Sequence, residues 1–309
     1  MEKCVLLATP GLKTFFTIGI LTVLLACVSN RTLSQPSADI MKQTPSVLPS
    51  APIHLELSAN TSSVVMNFGS SIDPILPMDY LGPCAKTIAF EPISHCSIPN
   101  HPQVLVVPVA VSDEYRLSVM HVLNKAGVSS SLFEPGQSDF WNEGYSEKKI
   151  VPVIPLSAAI LSVPLDVSIE LVLTDMQGGD FAAVSSAISA FLLRKVKFVR
   201  TEVWFNNVAT YQGVQNDFCQ DWVPFMSSHG YRILSASRAG ETINADQVKN
   251  FCDEQVYIKK TFGLDEGDAD WILPTEFPTE FDFNNLKRVQ NKEYREYSSF
   301  TDDDYRKCS

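Results

Sequence analysis

Four short apolar runs in this chain end in residues able to grip or transform a polar ligand. Val64-Val65-Met66 leads into Asn67-Phe68-Gly69-Ser70-Ser71, and Thr87-Ile88-Ala89-Phe90 into Glu91. Val104 to Val111 leads into Ser112-Asp113, and Ile169 to Thr174 into Asp175. A glycine such as Gly69 lets backbone approach a ligand, and helix N-terminal amides beyond it face the ligand's polar end. A carboxylate such as Glu91 can accept hydrogen bonds from both hydroxyls of a ribose. Asp175 has the chemistry of a general base toward a hydroxyl proton, and it is equally a residue type favoured as a helix N-cap. Each feature alone also suits a turn or a solvated strand end. Their order along the chain makes them candidates for one site, with Glu202 a second choice as base.

For these groups to meet, the runs must lie side by side with their carboxyl ends together. Apolar runs alternating with helical patterns predict a mostly parallel sheet covered by helices on both faces. The pattern predicts strands over 64–67, 87–90, 104–111, 116–123, 150–154, 169–174, 198–204 and 231–234, with a last strand at 256–258. Pro108 must sit where no ladder donor is needed. Phe181, Val184, Ile188, Phe191 and Leu192 share one face of a predicted helix. Shorter helices are expected over 156–161 and 218–226. In such a sheet, ligands bind outside the carboxyl ends of the strands. Ser129 to Asn142 reads as a loop with polar and aromatic residues, and Trp204 with Tyr211 as core or as a platform for a sugar face.

The segment Ile88-Ala89-Phe90-Glu91-Pro92 resembles the FEP motif of the FkbM-type methyltransferases, which use S-adenosylmethionine. Val109-Ala110-Val111-Ser112-Asp113 is similar to the AVSD segment of that family. Leu173-Thr174-Asp175-Met176-Gln177-Gly178-Gly179-Asp180 resembles its K-x-D-x-E-G-x-E block, and Thr201-Glu202-Val203-Trp204 its next strand. The resemblance covers roughly residues 60 to 235. It implies a Rossmann-like α/β domain of the class I methyltransferase type and an O-methyltransferase acting on a hydroxyl of a glycan or small metabolite. It also implies that Glu91 holds the ribose of S-adenosyl-L-methionine, that Asn67, Gly69 and Ser70 approach its methionine end, and that Ala110 to Asp113 flank the adenine. Asp175 would then be the catalytic base. Asn67 and Asp73 stand where the family's first loop has an acid and a glycine, and Gln177 and Asp180 where it commonly has glutamates. Those departures keep a non-catalytic binding module on the same scaffold open.

The rest of the chain sets the context. Lys3 and Lys13 flank and precede an uncharged run from Phe15 to Val28, which reads as a signal anchor or signal peptide over 1–28. A Ser/Thr/Pro-rich stem follows over 29–51, then the methyltransferase-like domain over 52–262 and a charged extension over 263–309. The expected location is the secretory pathway, as a single-pass membrane protein with a luminal or extracellular domain, or as a secreted one. Two sequons, at Asn30 and Asn60, fit that location. So do cysteines, for which sequence proximity favours Cys84 with Cys96 and Cys219 with Cys252. No metal-ligand spacing is present. The net charge of −11 argues against a nucleic-acid partner, because phosphate contacts require an excess of Lys and Arg. A luminal glycosyltransferase is the rival enzyme reading, from the anchor, the stem and Asp268-Ala269-Asp270, although that DxD sits in what reads as a loop.

Overall fold

The computed structural model describes residues 53, 55–123, 130–134, 145–205, 211, 213–238, 241–253, 266–274, 283 and 286–289. The leader, the stem and the expected strand at 256–258 lie outside the described residues. Among the described residues, no helix is long and apolar enough to cross a membrane.

The first of the apolar runs, β1 (Ser63–Phe68), has all six residues buried, as a strand covered on both faces requires. It lies between β2 (Lys86–Phe90) and β7 (Ser168–Thr174), parallel to both. Outward from β2 runs β3 (Val104–Val107), and outward from β7 runs β8 (Phe198–Trp204), again parallel. The chain therefore builds one half of the sheet from β1 toward β3, then returns to the centre to build the other half. That reversal makes the β1/β7 boundary a topological switch point, where a crevice opens at the carboxyl ends of the strands.

The sheet is mixed. Beyond β8 come β11 (Glu266–Ile272), β9 (Arg232–Arg238) and β10 (Glu241–Asn244), each antiparallel to its neighbour. The place of β11, between β8 and β9, bears on two expectations. Residues 266–272, read as part of a charged extension over 263–309, form an interior strand of the sheet. The DxD is not in a loop. Glu266, Asp268 and Asp270 alternate with Gly267, Ala269 and Trp271, a period of two that gives one polar face and one apolar face. Asp270 lies opposite Arg200 in register and takes it bidentately, at 2.6 Å to Nε and 2.9 Å to Nη2.

The two faces of the sheet are covered differently. On one, Val64, Met66, Phe68, Ile88 and Val199 pack with α1 (Leu156–Leu161) and α2 (Asp180–Arg194). Ala183, Val184, Ala187, Ile188 and Phe191 form the buried stripe of α2 at helical spacing. The short helices α3 (Val223–Ser228) and α4 (Val248–Asp253) contribute Met226 and Val248 to the same core. On the opposite face, Val65, Leu171, Leu173, Phe198 and Ile272 are covered by Ile75, Met78, Leu81, Phe283 and Leu286. Those residues belong to a loop with a single 3-10 turn and to the C-terminal segment, so the expected helices on both faces do not appear among the described residues.

The expected strand from Val104 to Val111 splits at Pro108, which has no N–H to continue a ladder. Its second piece, β4 (Ala110–Ser112), turns away to pair in parallel with β6 (Tyr145–Pro155). With β5 (Arg116–Leu123), antiparallel to β6, it makes a small second sheet. The inner face of that sheet carries Ala110, Met120, Val122, Val151 and Val153.

The expected helix over 218–226 is a π-type turn at Phe218–Trp222 continuing into α3. Asp217 caps it, accepting the amides of Cys219 and Gln220 at 2.8 Å and 2.7 Å. Cys219 is bonded to Cys252, with 5.4 Å between Cα atoms, joining this turn to α4. Cys84 and Cys96 each take part in a disulfide as well.

Candidate functional site

At the carboxyl ends of β1, β2 and β7 lies an open cavity of about 90 Å³. Phe90, Ile93, Val109, Ala110, Met120 and Leu132 form apolar walls, and Gly69, Ser71, Glu91, Asp175 and Gln177 supply the polar rim. Such a combination, apolar walls with a few convergent polar groups at a switch point, is the usual make-up of a cofactor site.

Gly69 closes the floor. Its φ is +73°, and a Cβ there would lie 1.8 Å from the carbonyl oxygen of Asp175, so only glycine lets β1 and β7 end this close together. The turn continues through Ser71, also left-handed at φ 51°. Its amide donates to Glu91 Oε2 at 2.8 Å, while Glu91 Oε1 accepts the amides of Ile93 and Ser94, each at 2.8 Å. A carboxylate offers about four acceptor positions. Three go to these amides, which fixes the carboxylate at the cavity edge and leaves one for a ligand hydroxyl instead of two.

The other expected residues separate. Ala110 lines the cavity beside Val109 and Val111. Asn67 is buried on the opposite face of β1, where its Oδ1 accepts the amide of Ile75 at 3.0 Å and so shapes the loop that covers that face. Ser70 is buried behind the turn, with its carbonyl taking the amide of Asp73. Asp113 does not reach the cavity. It binds Arg116 Nη1 at 2.9 Å and Ser112 Oγ at 2.8 Å, and lines a neighbouring concavity with Phe133 and Phe181. Trp204 and Tyr211 stack on each other with centroids 6.1 Å apart and are 3% and 1% exposed, so they are core and present no open ring to a sugar.

Asp175 stands at the mouth, and the structure gathers further acids around it. Its Oδ1 accepts Gln177 Nε2 at 2.8 Å, and the same amide nitrogen donates to Glu202 Oε1 at 3.3 Å. Asp180, the first residue of α2, accepts the amide of Met176 with both oxygens, at 3.1 Å and 3.3 Å. Glu202 lies directly across from Asp268 on β11. Burial raises the carboxyls of all three: Asp175, with help from Asp268; Asp180, up to about 7 with help from Asp175; and Glu202, well above its ordinary value, with help from Asp175 and Asp180. Asp175 is the most open of the three to the cleft, and Gln177 partly offsets its rise. Of the three carboxyls, Asp175 is therefore the one set to meet a ligand, with Glu202 and Asp180 buried behind it.

Gln177 and Glu266 were not among the candidate residues, and Asp268 entered only through the DxD of the rival glycosyltransferase reading. The signal for the last two was the period of two across 266–272, masked by three acids. Gln177 carried only its place in the turn after Asp175. Among the described residues, no group of His, Cys, Asp and Glu has the arrangement to hold a metal ion.

The family model for the methyltransferase FkbM domain matches residues 63–233, from the first residue of β1 to the second of β9. No curated protein and no solved structure matches the chain. The match contains every wall and rim residue of the cavity, and the chain belongs to the FkbM methyltransferase domain family.

Proposed function

We propose that the protein is an S-adenosylmethionine-dependent O-methyltransferase acting on a hydroxyl of a glycan or small metabolite. Membership of the family supports methyltransferase activity in general. The observation that carries the finer reading is that Glu91 and Asp175 line one cavity at the switch point of the sheet. The residues fit the cofactor. Glu91 keeps one acceptor position for a ribose hydroxyl, Phe90, Ile93, Ala110, Met120 and Leu132 offer apolar walls to a flat base, and the Gly69–Ser71 turn brings backbone to the polar end.

When bound, the cofactor supplies an electrophilic methyl group on a sulfonium. Methyl transfer is an in-line displacement, for which the protein chiefly supplies alignment. Asp175 is placed to accept the acceptor hydroxyl's proton as the new C–O bond forms. Of the rival readings, the glycosyltransferase draws little support from its DxD, because Asp270 is occupied by Arg200.

The secretory pathway remains our reading of its location, either as a single-pass membrane protein or as a secreted one. The Cys219–Cys252 disulfide and the exposed position of Asn60 support it. Titration calorimetry with S-adenosylmethionine tests the enzyme reading. Saturable binding is expected, and binding of a nucleotide sugar with manganese in its place would overturn it.

A further inference from the structure

The turn after β7 contains a residue to which the proposed chemistry assigns no part. Gln177 has a left-handed backbone, φ 54°, and is followed by Gly178 at φ 93°. A Cβ on Gly178 would come within 2.7 Å of the Tyr211 ring, so the turn lies flat against that ring. The Gln177 carbonyl accepts Ser131 Oγ at 2.7 Å, which ties the turn to the segment that supplies Ser130 and Leu132 to the cavity. Its side chain then runs back into the mouth. Nε2 donates to Asp175 Oδ1 at 2.8 Å and to Glu202 Oε1 at 3.3 Å, and Oε1 accepts the Tyr211 hydroxyl at 3.1 Å.

In this orientation the amide donates to both carboxyls and accepts from the phenol, so its three partners are satisfied at once. Flipping it would aim a carbonyl oxygen at the acceptor oxygen of Asp175. One N–H therefore serves each acid, and the buried phenol locks the far end.

We propose that Gln177 is the positioning residue of this centre: clamped by Tyr211 and Glu202, its amide holds Asp175 by Oδ1 and leaves Oδ2 to face the acceptor. The inference rests on the reading of Asp175 as the proton acceptor. A neutral side chain is what the position needs. Asp175 is faced by Asp180 from α2, Glu202 from β8, Asp268 from β11 and Glu91 from the end of β2, with Arg288 as the opposing charge, and Glu266 of β11 lies behind Glu202. A donor that adds no charge orients Asp175 and favours its ionised form without adding to the repulsion among these acids. A carboxyl in place of the amide would set an acid within hydrogen-bonding distance of both Asp175 and Glu202.

The test follows the Asp175 carboxyl directly, by carbon-13 NMR of the full chain labelled at aspartate, with the resonance assigned by its loss in Asp175→Asn. Removing the donor in Gln177→Met is expected to move the Asp175 midpoint upward by roughly half to one pH unit, the size of one neutral hydrogen bond. Tyr211→Phe, which removes only the hydroxyl that locks the amide, is expected to move it the same way by less, and it decides the matter if Gln177→Met does not fold. Gln177→Glu should raise the midpoint further. An Asp175 midpoint that stays where it is in folded Gln177→Met or Tyr211→Phe overturns the proposal. Failure of the methyltransferase reading is read separately, as the absence of S-adenosylhomocysteine binding by the unsubstituted protein.

Discussion

Replacing Asp180 with asparagine should stabilise the protein at mildly alkaline pH and change it little at acidic pH. Asp180 is fully buried at the start of α2 and accepts the Met176 amide. Burial, and next the charge of Asp175, pushes its carboxyl up to about 7 from an ordinary 3.8. Between those values the folded protein holds a proton that the unfolded chain has released. The native state binds more protons than the unfolded state there, so stability falls as pH rises through the window. One such proton is worth about 1.4 kcal/mol per pH unit, and the gap of about three units sets a ceiling near 4 kcal/mol. Asp175 and Glu202 share the same uptake, so Asp180 carries only part of that total. Asparagine keeps an oxygen for the Met176 amide and cannot ionise. Denaturant unfolding of both proteins at about pH 5, 6, 7 and 8 should therefore give a shallower decline for Asp180→Asn, with the curves meeting at the acidic end. Parallel curves, or an unsubstituted protein that gains stability with rising pH solely through this cluster, would refute the reasoning.

Two further substitutions probe the frame around the site. Removing the Cys219–Cys252 link, with both cysteines changed to serine, opens a loop of 33 residues and should cost about 4 kcal/mol in denaturant unfolding under non-reducing conditions. An equal midpoint for the two proteins would contradict that. Arg200→Met strands Asp270, a 4% exposed residue, without its bidentate partner and should cost about 3–5 kcal/mol. In Arg200→Met combined with Asp270→Leu, most of that loss should return.

Much of the central sheet was legible because β1, β2, β7 and β8 are apolar runs with punctuated ends. The cavity was legible for the same reason, since Gly69, Glu91 and Asp175 each follow the last residue of a strand. What a strand end does not reveal is the direction of a side chain. Asn67 shares a face with Val65, away from the cavity, so its amide serves the Ile75 loop. Asp113 was displaced when Pro108 broke its strand and sent Ala110 to Ser112 into the second sheet. β11 was hidden because its outward positions are all acidic, which reads as a solvated loop until Arg200 is found opposite. Trp204 and Tyr211 have the composition of a sugar platform, and only their mutual stacking shows them to be core.

The central claim is that Glu91 and its cavity hold S-adenosylmethionine. Mass spectrometry of small molecules released from the purified full chain tests it most directly. The account predicts that S-adenosylmethionine or S-adenosylhomocysteine is retained, or binds when added, and that Glu91→Ala loses it by at least about tenfold, the equivalent of roughly 1.4 kcal/mol. Retention of neither compound, with no binding of either when added, or an affinity unchanged in Glu91→Ala, would contradict it.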